Sequence, residues 1–157
     1  MDFTIPQSLR TEHEELHAEL VEATQEGGKV GKAAKAVASV LHPHFLKEEE
    51  YALPPLGLLV PLAEGKVPGD LQAALRMTNR LKGDLGQMIE EHKAIVAQLE
   101  NLTDASKKEK RPAYVRFTEK LVLHARMEEE VLYPAAILIG EYLRLKRNGK
   151  ASSPRSF

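Results

Sequence analysis

His44 and Glu48 stand four residues apart in HFLKEEEYALPP (44–55), and His124 and Glu128 stand four apart in HARMEEEVLYPA (124–135). The histidine, three glutamates and a proline recur in register at an offset of 80. A second pair of stretches, EHEELHAEL (12–20) and EHKAIVAQL (91–99), sets His13 and His92 in matching positions at an offset of 79. On a helix, residues i and i+4 share a face about one turn apart, so each His-x-x-x-Glu pair aims an imidazole and a carboxylate at one spot. Buried together, such groups lose solvation and repel unless a cation offsets the cost. Four histidines and two glutamates from four segments therefore read as a donor set for metal.

Two octahedral ions present about twelve ligand positions. Four imidazoles fill four and two bridging carboxylates fill four more. A solvent-derived oxo or hydroxo bridge takes two of the rest, which leaves one vacancy per ion for a small molecule. Mixed imidazole and carboxylate donors suit iron best among the common redox metals, with manganese or zinc as alternatives, because affinity alone does not choose. The other glutamates of each triplet, Glu49, Glu50, Glu129 and Glu130, turn about 100° or 200° away on a helix and read as solvated or as partners of the ligands. His42 lies about 200° from His44 and reads as exposed. Tyr51 and Tyr133 follow the carboxylates by one or two turns and read as core packing before a place at or near the metals.

The elements that must position these donors are helical. Ala, Leu, Glu, Lys and Gln dominate, aromatics are 5%, and strand formers are scattered. A first helix starts near Gln7 and ends at EGG (26–28). A second runs from about Lys29 to Pro54-Pro55, with Pro43 expected to kink it or mark a local start. The stretch LGLLVPLAEGKVPGD (56–70) is a connector punctuated by Gly and Pro. A third helix starts from an Asp70 cap and is expected to end near Leu102, followed by a polar loop, TDASKKEKRP. A fourth carries Tyr114, Phe117, Leu121, His124 and Glu128 and continues past Pro134 to about Leu145. The class is all-α: an up-down-up-down antiparallel four-helix bundle over residues 1–145 with an internal pseudo-twofold repeat. Residues 146–157 read as a basic, disordered tail.

Composition narrows the function. Twenty-two Lys and Arg nearly balance 23 Asp and Glu, so there is no basic excess to neutralise nucleic acid or seek an anionic membrane. No cysteine is present, which removes thiolate nucleophiles and cysteine-held zinc or iron–sulfur centres. No apolar run approaches membrane-spanning length, and a cytoplasmic address is the default expectation.

With His13, then His44-x-x-x-Glu48 before a proline, then His92, then His124-x-x-x-Glu128 before a proline, the sequence resembles the hemerythrin-like, or HHE, cation-binding proteins over roughly residues 7–145. The resemblance implies a non-haem di-iron centre in a four-helix bundle, with dioxygen, peroxide or nitric oxide as small-molecule partners and an unidentified electron donor or signalling partner. Oxygen-carrying members have a fifth histidine, four residues after the one in helix 3, where this chain has Val96. Helix 1 instead has His13-x-x-x-His17, and the pseudo-twofold relation offers His17 as a fifth nitrogen donor from the opposite side. The carriers place the helix 4 carboxylate five residues after the histidine, at Glu129 here, whereas the repeat with helix 2 selects Glu128. The leading expectation is binding or sensing of dioxygen or a related oxidant. The alternative is an oxidoreductase that decomposes peroxide. Repair of iron–sulfur centres, which in relatives uses a cysteine-bearing N-terminal segment, and iron storage rank lower.

Overall fold

A computed structural model describes residues 3–151, with the side chains of 150 and 151 left aside. Four helical rods make the molecule. The first is α1 (Gln7–Thr24). The second is α2 (Gly28–Lys47) continued by a π-helical turn at Glu48–Ala52. A 3-10 turn (Pro54–Leu58) and the short α3 (Leu59–Ala63) lead to the third rod, α4 (Leu71–Lys108). The fourth is α5 (Pro112–Met127), a second π-helical turn at Glu128–Leu132, and α6 (Tyr133–Ala151). Each rod packs on the next and the last packs on the first. Short joins between adjacent rods make neighbours antiparallel, as in an up-down-up-down bundle.

Several boundaries differ from the sequence expectation for identifiable reasons. Pro43 lies inside α2 without ending it; it sits on the exposed side, where the missing amide costs no buried partner. The third rod runs to Lys108 instead of stopping near Leu102, because Leu102, Ala105 and Ser106 carry its buried stripe onward. Thr103 and Ser106 also turn their hydroxyls back onto the carbonyls of Leu99 (2.9 Å) and Leu102 (2.6 Å). Helix α6 likewise reaches Ala151, so the expected tail is helical over 146–151; residues 152–157 lie outside the described residues. Asp70 caps α4 as expected, accepting from the Ala73 amide at 2.9 Å.

The 56–70 connector closes one end of the bundle. Leu56 and Leu58 are buried among Tyr51, Leu53, Leu75, Leu81 and Ile139. A Cβ at Gly57 would lie 2.0 Å from the Thr4 carbonyl oxygen, so glycine is what lets the N-terminal segment cross there.

The buried apolar residues fall into two clusters. One gathers Leu16, Leu20, Val30, Val37, Leu41, Leu99, Phe117 and Leu121. The other gathers Leu53, Leu56, Leu75, Leu81, Met88, Tyr133 and Ile139. Near the boundary between them on each rod lies one buried histidine: His13, His44, His92 or His124. A polar layer thus interrupts an otherwise dry core.

Candidate metal centre

Local helix geometry does the first part of the positioning. His44 and Glu48, and His124 and Glu128, point inward from the α2 and α5 rods, and all four are buried. His13 and His92, on α1 and α4, are buried at the same level. Each glutamate opens a π-helical turn; the Leu53 amide reaches back to the Glu48 carbonyl at 2.9 Å, and the Tyr133 amide to that of Glu128. The downstream Pro54 and Pro134 lack the amide that would continue a regular ladder, and their rings crowd the carbonyl four residues back, which a wider turn relieves.

The side chains form two overlapping groups. His13, His124, Glu48 and Glu128 make one, and His44, His92, Glu48 and Glu128 the other; in each, the donor atoms lie within 4.8 Å of one another. The two carboxylates are common to both groups. His13 Nε2 stands 3.1 Å from His124 Nε2, and His92 Nε2 stands 2.9 Å from His44 Nε2. Two donors each about 2.1 Å from one ion, at right angles, lie about 3.0 Å apart. Glu48 Oε2 and Glu128 Oε2 are buried with no hydrogen-bond partner. Orphaned carboxylate oxygens beside imidazole nitrogens at this spacing fit a pair of cations shared between the two glutamates.

A ring of outer carboxylates faces the other nitrogen of each imidazole. His44 Nδ1 lies 3.1 Å from Glu91, His92 Nδ1 lies 2.9 Å from Glu129, and His124 Nδ1 lies 2.5 Å from Glu12. His13 Nδ1 and Glu49 are 3.9 Å apart, the loosest of the four. Nδ1 donating to a carboxylate leaves Nε2 as the free lone pair, aimed inward. This ring obeys the same repeat as the ligands, Glu12 matching Glu91 and Glu49 matching Glu129. The glutamate of each Glu-His dipeptide serves the histidine of another rod, which links α1 to α5 and α4 to α2. Lys47 holds Glu91 at 2.6 Å.

Electrostatics in the metal-free chain reflect the crowding. Burial first, then the charge of Glu128 and a hydrogen bond to it, push the Glu48 carboxyl up to about 7. Burial acts the same way on Glu128, but hydrogen bonds from Glu48, His124 and His92 overcome it and hold that carboxyl low. His124 is pushed up to about 9: burial opposes its charge, and the hydrogen bond and charge of Glu128, with Glu48 and Glu12, outweigh it. His44 and His92 are raised by their carboxylates against burial, while burial wins at His13 and lowers it. Mutual charge and burial thus set the two glutamates apart, Glu48 high and Glu128 low.

Two corrections to the sequence reading follow. His17 is exposed and belongs to neither group. The buried line on α1 runs through His13, Leu16, Leu20 and Ala23, which turns the i+4 position toward solvent. Tyr133, read as core packing, instead brings its hydroxyl into the centre. It donates to Glu48 Oε1 at 2.5 Å and lies 3.2 Å from both His44 Nε2 and His92 Nε2. Burial, then the charges of Glu48 and Glu128, keep that phenol protonated in the metal-free chain. Its repeat equivalent is Leu53, buried and without a donor. Tyr51 lies elsewhere, with its hydroxyl on Asp84 at 2.9 Å.

Access is also unequal. A cavity of about 320 Å³ lined by Ile5, Arg10, His13, Glu14 and Glu49 opens beside His13. Phe45 stacks on the His13 ring at 4.3 Å between centroids.

A four-helix bundle whose buried polar layer supplies two carboxylate-linked histidine pairs defines a helical cation-binding domain. The family model for the hemerythrin HHE cation binding domain matches residues 4–136, and the chain belongs to that family. Comparison with curated proteins and with solved structures found no match. Among the described residues no helix is long and apolar enough to cross a membrane.

Proposed function

We propose that the protein holds two iron ions and uses them to bind or sense dioxygen or a related small oxidant. In this reading His13, His124, Glu48 and Glu128 would hold one ion, and His44 and His92, with the same two glutamates, the other. The observation that carries the reading is that Glu48 and Glu128, each with a buried, partnerless Oε2 atom, are common to both groups of imidazole donors. Iron at such a site supplies redox electrons and open positions for a small ligand. Manganese or zinc would leave the donor set intact but change that chemistry.

The two halves of the centre are equipped differently, and this supports a division of labour. Tyr133 places a hydroxyl on the His44 and His92 side, while Leu53 holds the equivalent register position in the first half of the chain. The cavity at Arg10, His13, Glu14 and Glu49 opens on the other side. A ligand entering by that cavity would meet His13 first. The outer carboxylates orient the imidazoles, and the aliphatic clusters above and below limit water.

A specific observation favours a second reading, peroxide decomposition. Tyr133 places a hydroxyl within hydrogen-bond reach of the centre, and decomposition of peroxide to water and dioxygen, which consumes no net protons, needs a group that can relay a proton from one oxygen to another. Metal analysis followed by anaerobic reduction and addition of dioxygen or peroxide under an optical spectrometer tests both. A new band that reverses when gas is removed supports binding or sensing. Gas evolution from peroxide with unchanged protein supports the enzyme. A folded protein that takes up no iron overturns both.

A further inference from the structure

The outer face of the α5–α6 rod carries an apolar ridge that the metal centre does not use. Leu123, Met127, Val131, Leu138, Tyr142 and Leu145 are all exposed, Leu123 at 62%, Leu138 at 65% and Leu145 at 71%. With the half-buried Ala135, the ridge is spaced 4, 4, 4, 3, 4, 3. Three successive steps of four would drift by about 120° on a regular α-helix. The π-helical turn at Glu128–Leu132 accommodates one extra residue at that point, so the ridge stays in line along the whole rod. Beyond the turn the spacing is that of a helix-pairing seam. Beside it, Leu59, Leu62 and Ala63 join Ala135, Leu138 and Tyr142 to form an apolar groove.

We propose that this ridge is where a second copy of the chain docks, the two α5–α6 rods running antiparallel. The exposed apolar area of the six side chains is on the order of 600 Å², at the upper limit of what lone soluble domains leave uncovered and near the ~800 Å² each partner gives to a stable interface. The ridge is also self-complementary. An antiparallel pairing centred near Tyr133 sets Leu123 against Tyr142, Met127 against Leu138 and Val131 against Ala135 of the other copy, each layer occurring twice by symmetry. The same register brings Arg126 of one copy alongside Glu141 of the other, a carboxylate that also holds Lys82 at 3.0 Å and Arg144 at 2.8 Å within its own chain. Parallel pairing would instead align each of these charges with its own copy. A formal net charge of -1 leaves little long-range repulsion between copies.

Sedimentation of the full, iron-loaded chain is the first test: a dimer at micromolar concentration is expected. Leu138→Glu is expected to weaken it at least 100-fold without changing the bound metal per chain, since Leu138 touches solvent and not the centre. Because the chain has no cysteine, orientation can be read by crosslinking. A mixture of Met127→Cys and Leu138→Cys chains should form a mixed disulfide dimer, while each variant alone should crosslink poorly, its two thiols lying about 15 Å apart along the seam. Three results overturn the proposal: a wild-type monomer at hundreds of micromolar, an undiminished Leu138→Glu dimer, or crosslinking of the single variants alone. Binding of the monomer to lipid vesicles through the same ridge would also overturn it, by giving the ridge a different occupant.

Discussion

Replacing Glu48 by Gln separates the cost of a buried carboxylate from its use. In the metal-free chain Glu48 is fully buried beside Glu128, and its carboxyl is raised from an ordinary 4.5 to about 7, by burial first and the neighbouring charge second. A carboxyl raised on folding binds its proton more tightly folded than unfolded. Its contribution to stability is therefore lost as the pH rises from about 4.5 through about 7, and above that the deficit is about 3 kcal/mol. Glutamine keeps the shape and the carbonyl that accepts from Tyr133 but carries no charge. Metal-stripped Glu48→Gln is expected to exceed metal-stripped wild type by about 3 kcal/mol at pH 8, or roughly 9 °C in Tm for a domain of this size, and to match it near pH 4.5. Thermal and urea denaturation in chelator across that range measure the difference. With iron supplied the order inverts, because the variant has lost a ligand common to both ions and no longer gains the stabilisation that binding to the folded state confers. A stripped variant no more stable than wild type at pH 8, or with an advantage independent of pH, refutes the claim that the two carboxylates are a mutually repelling pair awaiting cations.

Glu91→Gln leaves every inward donor in place but removes the carboxylate on His44 Nδ1, so iron affinity is expected to fall about 10- to 100-fold with the two-ion stoichiometry kept, as read by competitive chelation. His17→Ala should change neither iron content nor spectrum and should alter stability by no more than about 0.5 kcal/mol, since the side chain is exposed and outside both groups. Tyr133→Phe removes a buried donor to Glu48; iron content should persist, stability should fall by about 1 kcal/mol, and the rate of reaction with peroxide should drop more than dioxygen binding does. Loading should also release protons and tighten with pH between about 6 and 9, because Glu48 and His124, raised to about 7 and about 9, must be unprotonated to act as ligands; isothermal calorimetry in buffers of different ionisation enthalpy reads this.

The grouping of the six residues was legible because helical spacing is a local rule. His-x-x-x-Glu means a shared face wherever the helix sits, and repetition at offsets of 79 and 80 relates two halves without coordinates. The bundle, the Asp70 cap and the inward glutamates all follow from that kind of short-range regularity. The helix ends at Leu102 and Leu145 were misplaced because polar residues beyond them read as loop or tail. In the structure Ala105 and Ser106 continue a buried stripe, and α6 extends past Leu145.

What only the tertiary structure decided concerns contacts between rods and the local pitch of the helix. His17 satisfies the i+4 rule, yet the buried line of α1 veers toward Leu16 and Leu20, and packing against neighbours sets that direction. Tyr133 lies about 140° from Glu128 at regular α-helical pitch and was read as packing, but the π-helical turn widens the pitch and carries its hydroxyl into the centre. Glu12 and Glu91 precede His13 and His92 in sequence, but across the bundle they hold His124 and His44. Sequence spacing reports what one helix presents. Which presented groups meet depends on how four helices close around charges that cannot be left unpaired in a dry core.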